Sequence, residues 1–256
     1  MTRTPHRVLL ASALSLGALV SASACTLGAQ VKAQAPAPSH SARPSPTAPD
    51  SPPPLTEAQA QAALVTEGDL GEPWAPTQGA ATWRDGVLKA TADAPDCRRL
   101  LDALYTDDLF GADGATRAVT GLDDAMDQAQ LRYQVLALNP ADVDRTLGWM
   151  RTLPTTCGRF TAMTGRGAVQ GVQVSEAGLP DVGDARQALR VTFVGRTADG
   201  EQTVLTLDVA AVRVGDDTIA LTHGGPGEVS AETTKAFVQV GVQRLAEVRK
   251  QARLRV

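Results

Sequence analysis

Residues 188–222 read ALRVTFVGRTADGEQTVLTLDVAAVRVGDDTIALT, three apolar runs separated by two short polar turns. In the first run, Val191 and Phe193 lie two positions apart, which is the spacing of side chains on one face of a strand. The second turn contains Gly-Asp-Asp at 215–217, a hairpin signal. Neighbouring strands joined by tight turns predict an antiparallel sheet.

Strand patterns continue towards the amino terminus. Between 128 and 138, Leu131, Tyr133 and Val135 alternate with polar residues, so one face of this strand should be buried. The strands predicted in the whole chain are 116–122, 128–138, the segment CGRFTAMTG that begins at Cys157, 169–174, 188–195, 203–214 and 218–222.

Helix signals surround these strands. Thr56 and Gln59 have the spacing of a capping box. Pro95 and Pro140 suit the first turn of a helix, and Ser230 suits an N-cap. The predicted helices are 56–66, one starting at 95–96, one from 139–140 to 154, and a long one after 230; the Gly- and Pro-broken 69–89 is a loop with short strands. The fold class is therefore α+β, an antiparallel β-sheet packed with helices.

The amino terminus has the pattern of a secretory signal. Arg3 and Arg7 precede a 13-residue apolar run at 8–20, and small residues follow up to Cys25. The run is shorter than the about 20 apolar residues that span a membrane. We therefore expect export from the cytoplasm rather than a membrane-spanning helix.

The end of this signal, Ala-Ser-Ala-Cys at 22–25, resembles the lipobox of bacterial lipoproteins. In that family the cysteine receives diacylglyceryl, the peptide is cut before it, and the new amino terminus is acylated. The resemblance implies that 1–24 is a lipoprotein signal peptide and that Cys25 is lipidated, with palmitate among its acyl chains. The alternative is ordinary cleavage at Ala-x-Ala, with Cys25 incidental.

A proline-rich segment follows the lipidation site. Residues 26–54 contain half of the 16 prolines and few side chains that could pack in a core. Such a composition predicts a disordered or partly polyproline II segment. At about 3.1 Å per residue it could extend to about 90 Å. Residues 25–54 are thus predicted to be the lipidated cysteine and a tether, and 55–256 a single α+β domain.

The charge of the mature chain argues against one class of partner. Without Arg3 and Arg7, 22 basic residues remain against 28 acidic ones, a net charge of −6. Proteins that bind nucleic acid normally present a basic face. Nucleic acid is therefore not an expected partner.

Two cysteines remain once Cys25 is assigned to a lipid. Cys97 and Cys157 form an even pair in an oxidising compartment, where disulfides persist. A bridge between them would close a loop of about 60 residues, which is worth about 4 kcal/mol. Two free thiols are the alternative.

The residues available for catalysis are few. Within 55–256 the one histidine is His223 and the serines are Ser175 and Ser230, so a Ser-His triad would have to combine them. Ser230 is already explained as a helix cap, and the sequence around Ser175 is not a nucleophile elbow. We therefore predict no catalytic residues and no cofactor.

A metal site is not expected either. Zinc usually needs three or four His or Cys ligands, and this domain has one histidine and no pair of thiols beyond the expected bridge. Acidic turns could hold Ca²⁺, but they lack the EF-hand spacing and suit solvated turns better. These turns contain Asp107, Asp108 and Asp113, and Asp123, Asp124 and Asp127.

Three tryptophans are the candidate ligand-binding residues. Trp74, Trp83 and Trp149 could line an apolar cleft, although core packing is the usual role of such residues. The stretch HGGPGE at 223–228 precedes a helix and could cradle an anion, but its glutamates favour a plain strand-to-helix connection. The basic end of the last helix, 244–255, suits the helix dipole, and membrane contact is a second interpretation.

The order of these elements resembles the extracytoplasmic sensor domain of PknH-type receptor Ser/Thr kinases and its lipoprotein relatives. The resemblance covers about 55–249 and includes Cys97 and Cys157, which fall where that family has a disulfide. Kinase-linked members also carry a second disulfide and a kinase domain, which these 256 residues do not contain. The resemblance implies a central sheet, a cleft for an unidentified ligand, and binding without catalysis.

The function expected from the sequence is that of a lipid-anchored protein on the extracytoplasmic face of the cell membrane. Its sensor-like domain would bind a small molecule or an envelope protein and would catalyse nothing. The first alternative is a carrier of lipid or another apolar molecule at the cell envelope. The second is an extracytoplasmic hydrolase.

Overall fold

The computed structural model describes residues 54–81, 83–111 and 116–254. The predicted signal peptide, the Cys25 lipidation site and nearly all of the predicted tether lie outside these residues. Nine strands form one sheet, and every neighbouring pair is antiparallel. The predicted α+β class, an antiparallel sheet packed with helices, is confirmed.

The strands in chain order are Trp74–Pro76 (β1), Ala90–Thr91 (β2), Thr116–Asp124 (β3), Ala129–Ala137 (β4), Arg159–Thr164 (β5), Val169–Glu176 (β6), Ala185–Arg196 (β7), Gln202–Val214 (β8) and Asp217–Pro226 (β9). Their order across the sheet is β1-β3-β4-β9-β8-β7-β6-β5-β2. The last strand, β9, therefore lies inside the sheet, between β4 and β8.

The helices are Glu57–Ala62 (α1), Glu67–Leu70 (α2), Pro95–Thr106 (α3), Pro140–Thr156 (α4) and Ala231–Leu254 (α5), and a π-helical turn spans Arg84–Leu88. Within the described parts of the chain, no helix combines the length and hydropathy needed to cross a bilayer.

Helices cover both faces of the sheet, which gives the domain two cores. Side chains alternate between the faces of a strand, so β8 contributes to both cores. Leu207 and Val209 pack on the side of α3 and α4, whereas Ala210 and Val212 pack on the side of α1 and α5. We call this second side the α5 face; the candidate site lies on it.

Most predicted elements are present, with differences at their ends. Thr56 and Gln59 form the expected capping box, but the predicted helix 56–66 ends early, at Ala62. A second box at Thr66 and Asp69 starts α2 just after the predicted helix. Helix α4 continues past Pro154 to Thr156. A proline so close to the end removes a single helical hydrogen bond, and the helix closes with Cys157 N–H donating to the Leu153 carbonyl.

The disulfide joins α3 to the residue after α4. Cys97 Sγ and Cys157 Sγ are bonded, and their Cα atoms lie 5.6 Å apart. Both residues are buried in the core that contains α3 and α4. The bridge thereby fixes two helices on the same face of the sheet.

Candidate functional site

A half-open cleft of about 530 Å³ lies on the α5 face, at the amino-terminal part of α5. Its other walls come from α2, β1 and the turn that joins β3 to β4. A volume of this size suits a small ligand. The cleft brings together four stretches of the chain, 69–74, 124–129, 223 and 228–240, and sequence spacing alone does not reveal that assembly.

Three aromatic rings form one wall of the cleft. Trp74 lies edge-to-face against Phe237, with ring centroids 5.0 Å apart, and against His223 at 5.7 Å. Phe237 and His223 are also edge-to-face, at 5.1 Å. Phe237 is 1% exposed, whereas Trp74 is only partly buried. Trp74 therefore offers a ring surface to the cleft that its neighbours hold in place.

The register of the sheet places a row of polar side chains behind this wall. Arg190 of β7 lies opposite Asp208 of β8, and Asp208 lies opposite His223 of β9. Arg190 donates two hydrogen bonds to the Asp208 carboxylate, at 2.8 and 2.9 Å. Asp208 is 1% exposed, so this charged pair compensates for the cost of burying the carboxylate.

Thr234, in the first turn of α5, joins this row to His223. Its hydroxyl donates its one hydrogen to Asp208 Oδ2 at 2.7 Å, because a carboxylate can only accept. Thr234 Oγ1 therefore accepts from His223 Nδ1–H, 2.8 Å away. The imidazole thus carries its hydrogen on Nδ1 and a lone pair on Nε2.

His223 is neutral in the folded protein near neutral pH. Burial lowers the pKa of His223 to about 4, although Asp208 and Asp124 act in the opposite direction. The side chain borders the cleft but is only 2% exposed. Within the described residues, its Nε2 has no hydrogen-bond partner. This largely buried ring therefore presents a hydrogen-bond acceptor to the cleft.

The other polar groups of the cleft are mainly acidic. No lysine or arginine of the described chain lines it. Asp69 is paired with Arg244 and Glu232 with Lys235, so those two charges are compensated. Asp124 lies opposite Trp74 in the sheet. Its Oδ1 accepts hydrogen bonds from the backbone N–H groups of Met126 and Asp127, in the turn that follows. The carboxylates are Asp69, Glu72, Asp124, Asp127, Glu228 and Glu232.

The first four residues of the stretch HGGPGE, 223–226, belong to a strand of the sheet. Residues 223–226 extend β9, so the predicted end of this strand at 222 is too early. A Cβ on Gly224 would lie 1.9 Å from Leu207 Cδ2, and one on Gly225 would lie 3.0 Å from Ala129 Cα. Because these positions have no side chain, β9 can pack close to the neighbouring strands. His223, the residue before them, lies on this strand at the cleft.

The structure separates the three predicted tryptophans. Trp74 lines the cleft, but Trp83 lines a smaller pocket of about 230 Å³ with Phe193 and Pro226. Trp149 of α4 donates to Asp96 of α3 at 3.2 Å, and the Arg99 guanidinium lies 3.8 Å from its ring centroid. Trp83 and Trp149 therefore pack near the other core, and Trp74 alone of the three belongs to this site.

The candidate triad of the sequence does not assemble around Ser175. Ser175 lies opposite Arg190 in the sheet, so Arg190 and Asp208 stand between it and His223. Three strand spacings amount to about 14 Å. Ser230 accepts from Thr233 N–H at 3.2 Å, as a helix cap does.

The acidic turns have roles in the fold. Asp107 is paired with Arg84 and Arg132, at 2.8 and 3.3 Å. Asp123 accepts from Thr77 and Gln130, and Asp113 lies outside the described residues. In the parts of the chain that the structure describes, no group of three or more His, Cys, Asp or Glu is arranged to hold a metal ion.

No family model matches this chain, and no curated protein matches it. Among solved structures, it is similar to the crystal structure of the extracellular domain of PknH from Mycobacterium tuberculosis. The two chains are 17% identical, with a TM-score of 0.45 over 77% of this chain and 98% of that chain. The ligand of the cleft must therefore be inferred from its own residues.

The buried Asp208 and its partly buried partner Arg190 are the part of the site that sequence reasoning missed. Arg190 and Asp208 stand in the middle of two neighbouring apolar strands, where an isolated charge is costly. Opposite charges at such positions indicate a buried pair on one face of a sheet. His223 lies opposite Asp208 on the next strand of the sheet, so it belongs to the same row of polar side chains.

Proposed function

We propose that this protein is a lipid-anchored extracytoplasmic binding protein whose cleft on the α5 face holds a small ligand without catalysing a reaction. The lipid is carried by Cys25 and the domain is held away from the membrane by the tether 25–54. The observation that carries the binding role is the cleft itself, with the partly exposed ring of Trp74 and the hydrogen-bond acceptor of His223 on one wall. Concave sites with an aromatic wall and a few convergent polar groups are typical of ligand binding.

The same cleft argues against the two alternative functions. A carrier of lipid needs a long apolar cavity, whereas this cleft is bordered by carboxylates that would be desolvated by an apolar cargo. A hydrolase needs a base with a pKa near the working pH, and the pKa of His223 is lowered to about 4. Thr234, not a carboxylate, is the partner of its Nδ1.

Native mass spectrometry of the protein purified from its own membrane tests the proposal. We expect a small molecule to remain bound, and to be lost when Trp74 is changed to Ala. Trp149→Ala is the matched control, because that ring packs between α3 and α4 and should leave the complex intact. A purified protein without any bound molecule, and without binding of fragments at Trp74 by NMR, would contradict the proposed function.

A further inference from the structure

We infer that the ligand of the cleft is a small organic cation, an ammonium or guanidinium compound with an apolar or aromatic part. This inference rests on the proposed function and specifies the ligand class of the same site. Three independent properties of the cleft support it: its hydrogen-bond acceptors, its charge and its aromatic wall.

The two buried polar side chains of the cleft, His223 and Asp124, present hydrogen-bond acceptors. Asp208 fixes the hydroxyl hydrogen of Thr234, and Thr234 in turn fixes the imidazole hydrogen on Nδ1. The lone pair of His223 Nε2 is therefore the hydrogen-bonding group that this ring presents to the cleft. A ligand N–H would satisfy it, whereas a carboxylate or phosphate oxygen would not.

The formal charge of the cleft also favours a cationic ligand. After the Asp69–Arg244 and Glu232–Lys235 pairs are set aside, four carboxylates remain. The amino end of α5 opposes a cation with only about half of an elementary positive charge. The balance is strongly negative, so an anion would be repelled. The four are Glu72, Asp124, Asp127 and Glu228.

The aromatic wall suits the same ligand class. Cations bind over the face of a tryptophan ring, and aromatic rings that surround a site are a known way to bind ammonium groups. Trp74 is held edge-to-face by Phe237 and His223, so its orientation is set before a ligand arrives. An apolar part of the ligand can pack on the same ring.

Three probes of similar shape separate the possible ligand classes. They are 2-phenylethylammonium, which is a cation, 2-phenylethanol, which is neutral, and 3-phenylpropanoate, which is an anion. Each is titrated into the full chain in an uncharged detergent, with calorimetry and the NMR signal of the Trp74 indole as readouts. We expect the cation to bind at least tenfold more tightly than the alcohol and the anion not to bind.

A charge-neutral variant tests whether the cleft itself selects the cation. Glu72→Gln, Asp127→Asn and Glu228→Gln together change exposed side chains of the cleft and should weaken cation binding at least tenfold. The matched control neutralises three exposed carboxylates elsewhere, with Asp93→Asn, Asp199→Asn and Glu201→Gln. The control should bind as the parent protein does.

Three other outcomes of these titrations would overturn the inference. Equal weakening by the control variant would mean that overall charge, not the cleft, attracts the cation. Tighter binding of the alcohol or the anion at Trp74 would refute the cation but leave a binding function in place. Binding of none of the three probes would also refute it, and the native mass spectrum would then decide the proposed function separately.

Discussion

Gly241 of α5 lies directly over the ring of Tyr133 in β4, and a Cβ at this glycine would lie 2.5 Å from the Tyr133 hydroxyl oxygen and 2.7 Å from ring atom Cε2. Tyr133 is fully buried on the α5 face. The helix can therefore approach the sheet this closely only because position 241 has no side chain.

Gly241→Ala should destabilise the protein, because the added methyl group forces the helix or the ring to move. We expect a loss of about 1–3 kcal/mol in the free energy of unfolding, measured by urea denaturation. Gly148→Ala in α4 is the matched control: nothing lies within 4 Å of its Cβ position, so it should be neutral or stabilising by up to about 1 kcal/mol. An equal loss in both variants would contradict the close packing at Gly241.

Asp208→Ala should be among the most destabilising single changes. It removes the partner of Arg190 and Thr234 and leaves a partly buried guanidinium without compensation. The expected cost is about 3 kcal/mol, again measured by urea denaturation. Asp181→Ala removes the partner of Arg186 at an exposed site, where a cost below about 1 kcal/mol is expected. Similar costs for the two variants would argue against the buried row of polar groups.

The free energy of unfolding should decrease as the pH is lowered from 6.5 to 5. The pKa of folded His223 is about 4, below its unfolded value of 6.5, so the unfolded state binds more protons as the pH falls and stability decreases. The loss over this interval is at most about 2 kcal/mol. Urea denaturation at pH 7, 6 and 5 measures it.

His223→Gln is the comparison that isolates this effect. The variant should lose most of the dependence on pH between 6.5 and 5. The raised pKa of Asp217, caused mainly by burial, stabilises the folded protein as the pH falls, but it is present in both proteins and cancels in the difference. Hydrogen bonds from Thr66 and Arg244 lower the pKa of Asp69 below its ordinary value of 3.8, although burial acts in the opposite direction, so its titration lies outside this interval. Identical pH profiles would disprove a neutral buried His223.

Removal of the disulfide should cost about 4 kcal/mol, because the bridge closes a loop with a sequence separation of 60. The variant carries Cys97→Ala and Cys157→Ala, and its unfolding is compared with that of the oxidised protein. A reducing agent should destabilise the parent protein and leave the variant unchanged. An effect of the reducing agent on the variant would mean that the bridge is not its target.

Cys25→Ala should release the protein from membranes, since the proposed anchor is the lipid on that cysteine. The measurement is the share of protein in the membrane fraction after cell disruption. A mass spectrum must confirm that the signal peptide is still removed, because an uncleaved apolar segment would also keep the chain at the membrane. Retention of a correctly cleaved variant would refute the lipid anchor.

Local sequence signals were sufficient for most of the fold. The capping box at Thr56, the proline at the start of α3 and the alternation around Tyr133 each depend on neighbours within a few residues, so single-sequence reasoning finds them. The position of β9 between β4 and β8 depends on pairing between distant segments. A pattern of period two predicts a strand but does not identify its partners.

The site was harder to predict for the same reason. Trp74 was a candidate together with Trp83 and Trp149, but nothing in their spacing separates a cleft residue from two residues at other packing sites. The sequence offers His223 as a catalytic residue, a metal ligand or part of an anion-binding stretch, and none of these is the acceptor role that the structure gives it. Its role as an acceptor depends on Thr234, 11 positions later, whose hydroxyl is oriented by a carboxylate from another strand.

The lengths of the outermost strands bear on how this protein behaves when many copies share one surface. β1 and β2 form the two edges of the sheet and are only three and two residues long, and β1 ends in Pro76, which has no N–H to donate. Long flat edges are the places where a second molecule adds a strand and aggregation begins. Both edge strands therefore offer little backbone to a crowded neighbour, but β1 covers only residues 122–124 of β3 and β2 only residues 163–164 of β5, so any joining of sheets between copies would use the uncovered parts of these two longer strands.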